Sequence, residues 1–185
     1  MVKLILLLVF IILGYHSFSQ EDNNTMPWNA SNKLEWKDYK GTLNPEIIAY
    51  ASTSYKIDII PENVIVDLND YIVNYQDLTV VANFYKNHSW TVSNDVELLN
   101  HERLHFDIAE LFARKIRKRF SELKNSGEKR FARYQNEYNA LWQSCRVFQK
   151  KYDSETNHGA KKNESGIWYK KVAALLENFK NFAST

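Results

Sequence analysis

The residues best suited to chemistry are His101-Glu102-Arg103-Leu104-His105. On an α-helix, at about 100° per residue, His101 and His105 stand about 40° apart around the axis and one turn apart along it. Both imidazoles can therefore reach one metal ion. Glu102 lies about 60° beyond His105, beside the metal rather than on it, where a carboxylate can take a proton from water activated there. Ala109, one turn further on, leaves room at the site. Catalytic zinc takes three protein ligands and keeps one position open, so a third ligand is expected. The metzincin continuation, with a Gly and a third His soon after the pair, is absent. Glu110 lies about 180° from His101, and Asp107 about 200° from His105, so both point to other faces of the helix. Of the remaining histidines, His16 falls within the N-terminal residues expected to leave as a signal peptide, and His88 follows a strand-like run as a surface residue. His158 is the better ligand: its loop is polar, and Gly159 permits a tight backbone beside a metal. Asp153 and Glu155 of the same stretch stay open as acidic alternatives.

The pattern needs a helix, and the neighbouring residues supply one. Val96 to Leu123 contains no Gly or Pro, is rich in helix formers, and follows N-cap candidates in Ser93-Asn94-Asp95. After Asn125-Ser126-Gly127 a second helix carries Phe131, Tyr134, Tyr138, Leu141, Trp142, Cys145, Phe148 and Tyr152 as one stripe, a core stripe rather than a cofactor box. Asp153 to Gly166 reads as irregular, and Ile167 to Phe179 as a third helix. Before these, Tyr55, Ile57 and Ile59 alternate with polar residues, as do Val64, Val66 and Leu68, then Leu78 to Tyr85, with a possible further strand at Tyr71 to Tyr75. Strands first and helices after predict an α+β fold: a small antiparallel sheet in the N-terminal half followed by three long helices, zincin-like in type.

Residues 1–19 read as a signal peptide, with Lys3 as basic region, an apolar run from Leu4 to Leu13, and small residues before Gln20. Ten apolar residues give about 15 Å of helix, half the roughly 30 Å of a hydrocarbon core. No stable membrane span is expected once the signal is removed. The expected address is secreted or periplasmic. Polar, Asn-rich residues 20–33 read as a flexible leader, and 34–185 as a single metallohydrolase domain. The one cysteine, Cys145, rules out an intrachain disulfide. With 24 Lys+Arg against 22 Asp+Glu the net charge is +2, which gives no pull toward a polyanion. Arg114, Lys115, Arg117, Lys118 and Arg119 wrap around a helix instead of making a stripe, so they read as a solvated surface, and no nucleic-acid partner is expected.

Leu34-Glu35-Trp36-Lys37-Asp38-Tyr39-Lys40-Gly41, Ser89-Trp90, the extended motif Leu99 to Glu110, and Tyr152-Asp153 with Thr156-Asn157-His158-Gly159 resemble the bacterial predicted secreted zinc-dependent proteases. The resemblance runs from about Leu34 to Leu176. It implies Zn²⁺ held by His101 and His105, Glu102 as the catalytic residue, and His158 as third ligand.

The leading expectation is a zinc-dependent hydrolase, a peptidase acting on a peptide or protein substrate, with Glu102 as general base. Tyr152 and His88 are candidates for oxyanion stabilisation, and Leu78 to Tyr85 for an edge strand that takes up substrate, although an internal place in the sheet is the more expected one for that strand. The alternative is a non-catalytic, zinc-stabilised domain that binds an envelope partner. Glu102 separates the two, because a purely structural site needs no carboxylate there and closes with four protein ligands.

Overall fold

The computed structural model describes residues 24–46 and 49–184. The expected signal, residues 1–19, lies outside them. Five strands precede three helices: β1 (Thr25–Pro27), β2 (Ala51–Ser52), β3 (Tyr55–Ile60), β4 (Thr79–Tyr85), β5 (Trp90–Thr91), α1 (Val96–Asn125), α2 (Phe131–Thr156) and α3 (Lys162–Asn178). The fold is α+β, as the order of patterns predicted. One antiparallel sheet has the order β1-β4-β3, and β2 pairs with β5 in a second, antiparallel ribbon.

The central element is α1. Leu99, Leu104, Phe106, Ile108, Leu111, Phe112, Ile116 and Phe120 are all buried, so its apolar surface runs most of the way round. A helix apolar on nearly every side must be covered on several sides. Here β3 and β4 cover one side, through Ile57, Val80, Ala82 and Phe84, and α2 and α3 the other. Asp95 caps α1, its carboxylate accepting from Leu98 N at 2.7 Å. The helix ends at Asn125, before Gly127 at φ 73°.

Three expectations need correction. Thr25–Pro27, inside the stretch expected to be a flexible leader, pairs with Asn83–Tyr85 of β4. Two groups anchor this segment to α1: Trp28 Nε1 donates to Asp107 Oδ1 at 2.7 Å, and Lys33 pairs with the same oxygen at 2.8 Å. The alternation at Val64-Val66-Leu68 and the run Tyr71 to Tyr75 form no strands, only bridges between Val66 and Ile72 and between Tyr71 and Arg130. Asp67 Oδ1 accepts from the backbone N–H groups of Asn69 and Tyr71, so a side-chain turn takes the donors a ladder would need, and Leu68 is fully exposed at its tip. Leu78 to Tyr85 does form a strand, and β4 is the middle strand of its sheet, the internal place that was the more expected one, so it offers no edge. Finally, Asp153 to Gly166 is mostly helical: α2 runs on to Thr156 and α3 starts at Lys162, leaving 157–161 as the whole connection. Among the described residues, no helix is long and apolar enough to cross a membrane.

Candidate metal centre

Helices α1 and α2 pack against each other near the start of α1 and the end of α2, and each contributes an i, i+4 pair to the contact. His101 and His105 come from α1, Gln149 and Asp153 from α2. Residues four apart share a helix face, so the two pairs meet as two short rows. His105 Nε2 lies 3.1 Å from His101 Nε2, and Asp153 Oδ1 lies 2.9 Å from His105 Nε2 and 3.2 Å from His101 Nε2. Zinc bonds of about 2.0–2.1 Å put the corners of a tetrahedron about 3.3–3.4 Å apart, and these three atoms stand a few tenths of an ångström closer together than three of its corners would. Asp153 Oδ1 is buried and accepts no well-directed hydrogen bond from the described residues, despite two ring nitrogens beside it. An oxygen so placed fits a cation at the common focus of the three atoms.

The electrostatics agree. Burial pushes the Asp153 carboxyl up, but His101 and His105 outweigh it and hold the group well below the usual carboxylate range. Burial opposes a charged His105, yet Asp153, Glu102 and Gln149 together raise its pKa. An ion held here would replace these protons as the source of positive charge.

The sequence-derived ligands are placed as follows. His101 is buried between Tyr152, whose ring stacks at 4.7 Å and 25°, and Gly159. His105 is held by Gln149. His158 is 77% exposed at the rim, with Nδ1 3.8 Å from Asp153 Oδ1. Ligand atoms of His101, Asp153 and His158 all lie within 4.8 Å of one another. Asp153 is thus nearer the histidine pair than His158 is. Glu155 turns away, accepting from Trp168 Nε1 at 2.8 Å. Asn157, His158 and Gly159 have φ of 49°, 52° and 84°, three successive residues in the left-handed region. Among the contacts that hold this turn are His158 N to Asp153 O at 2.9 Å, Lys161 N to Thr156 O at 2.9 Å and Gly159 N to Thr156 Oγ1 at 3.2 Å.

Glu102 is only 6% exposed, and its carboxylate makes no hydrogen bond or ion pair with another described residue. It lines a groove of about 1440 Å³ together with His101, His105 and Asp153. Tyr50 to Thr53, the β2 segment, also line the groove, as do Arg146 and Lys150 of α2. Neither oxyanion candidate reaches it in a usable way. Tyr152 is fully buried beneath the imidazoles, its hydroxyl 3.4 Å from His101 O, and burial raises its pKa. His88 is exposed against Tyr85, away from the groove. Tyr55 lines the groove, although sequence reasoning assigned it only to the sheet. Glu110 points away from the site as its azimuth requires, and pairs with Arg114 at 2.8 Å and Arg117 at 2.6 Å.

No curated protein and no solved structure matches the chain. Residues 88–159 match the model of a family described as "Bacterial protein of unknown function (DUF922)", and that interval contains His101, Glu102, His105, Gln149, Asp153, His158 and Gly159.

Proposed function

We propose that this chain is a zinc-dependent hydrolase of the peptidase class, with a zincin-like helix carrying His101, Glu102 and His105, working in the periplasm or outside the cell. The observation that carries the reading is the convergence of His101 Nε2, His105 Nε2 and Asp153 Oδ1, with the unpaired Glu102 carboxylate facing the same groove. Zinc, when bound, would polarise a scissile carbonyl and acidify water. Glu102 takes a proton from the attacking water and returns it to the leaving amine. The charge of the Asp153 carboxylate, added to two neutral imidazoles, suits a hard-to-borderline divalent cation.

An extended peptide suits the groove. Tyr50 O accepts from Val92 N at 2.9 Å, which makes Ala51 and Thr91 the non-bonded pair of the ribbon and turns the backbone groups of Ala51 away from β5. A substrate strand added there would lie beside the metal ligands. Here β2 takes the role expected of Leu78 to Tyr85.

His158 supports a second reading. Joined to the other three ligands it would close the coordination shell, and the domain would then be a zinc-stabilised module that binds an envelope partner. Metal analysis and a peptide-library assay on the purified chain separate the readings. One zinc per chain with cleavage that is lost in Glu102→Gln is expected. One zinc with no cleavage in any library, and equal loss of zinc in His101→Ala and His158→Ala, would favour the closed site. No zinc at all would sink both.

A further inference from the structure

We infer that Gln149 is the positioning residue of His105: it selects the Nδ1–H tautomer of the imidazole and so leaves Nε2 as a free lone pair facing His101 and Asp153. The assignment follows by elimination. Gln149 Nε2 lies 2.8 Å from the backbone oxygen of His105, and a carbonyl oxygen only accepts. The amide NH₂ is therefore on that side, and the atom 2.5 Å from His105 Nδ1 is the amide oxygen, which also only accepts. His105 Nδ1 must donate, so the proton of the neutral ring is on Nδ1 and the lone pair on Nε2. Free histidine prefers the opposite tautomer, so the protein enforces this one.

The clamp is built to stay. Gln149 is buried, comes from a different helix than His105, and grips both the ring and the main chain of one residue. Two bonds to two atoms of one residue set both ring tilt and ring rotation, which a single bond would leave loose. His101 has no equivalent: its Nδ1 is buried without a partner among the described residues, and Tyr152 and Gly159 hold its ring by packing. The histidine pair is thus oriented by two devices, polar for His105 and steric for His101.

Long-range ¹H–¹⁵N NMR on the chelator-treated chain, at a pH where imidazole is neutral, reads the tautomer without any metal. Nδ1–H is expected for His105 in the wild type and in Gln149→Glu, which keeps an acceptor. Gln149→Met, similar in size but without either polar atom, should move the ring toward Nε2–H and weaken zinc binding by about 10–100-fold, the range for lost outer partners of ligating histidines. The zinc readout rests on the proposed metal site, whereas the tautomer readout does not. Absence of zinc binding with an intact Nδ1–H signal would therefore count against the site and for Gln149. An Nε2–H tautomer in the wild type, or Gln149→Met with unchanged tautomer and zinc affinity, overturns the assignment.

Discussion

Gly159 lies against the imidazole of His101 so closely that a Cβ on it would stand 3.1 Å from His101 Cβ and Cγ. The same glycine has φ 84°, a conformation costing L-residues about 1–2 kcal/mol. Gly159→Ala is thus opposed by both backbone and contact. It should lower stability by roughly that amount in urea titration and loosen zinc as His101 tilts. An alanine variant with wild-type stability and zinc affinity would show that the contact does not orient His101.

Asp153 and His158 are the two candidates for third ligand of the proposed zinc site. Because Asp153 Oδ1 is buried beside both ring nitrogens while His158 stands at the exposed rim, Asp153→Asn should cost more zinc affinity than His158→Ala. Loss of a ligand should exceed the roughly 10–100-fold seen for outer partners. Isothermal titration with zinc reads both variants, and the reverse order would make His158 the ligand.

Glu102→Gln keeps the size of a side chain that has no partner to lose. Zinc content should be unchanged while hydrolysis of any substrate found falls about 10²–10⁴-fold, the usual share of a general base. Undiminished turnover would remove Glu102 from the mechanism.

Glu110 is 1% exposed and serves two arginines on the face of α1 opposite the site. Burial raises the pKa of Glu110 and lowers that of Arg117, the mark of a desolvated pair. Arg114 and Arg117 also donate to Leu176 O and Val80 O, tying α3 and β4 to α1. Glu110→Ala strands two buried cations and should cost about 3–5 kcal/mol by thermal or chemical denaturation. A variant of near wild-type stability would mean that water reaches the arginines.

Cys145 is fully buried, and burial pushes its thiol up to about 12. At mildly alkaline pH almost none is thiolate, so a thiol reagent should label it slowly in the native chain and rapidly in denaturant. Fast native labelling would reveal an opening between α2 and its neighbours.

The histidine pair, its helix and the position of Glu102 beside it were readable in the chain because they depend on one local period: five consecutive residues and 3.6 per turn settle which side chains share a face. The same arithmetic sent Glu110 to the far side of α1, where it is found pairing with Arg114 and Arg117. Strand order could not be read this way. Alternation marked Leu78 to Tyr85 as a strand, but whether it lies at an edge depends on what pairs with it from residues 25–27 and 55–60, contacts far away in sequence. Gln149 was hidden, and Asp153 was left as one of several alternatives, for a related reason. A polar stretch suggested a loop from Asp153 onward, whereas packing of α2 on α1 carries the helix to Thr156 and puts both side chains one turn apart on the contacting face. Local spacing determines which residues can act together on one element; only the packing of two helices decides which residue completes the site.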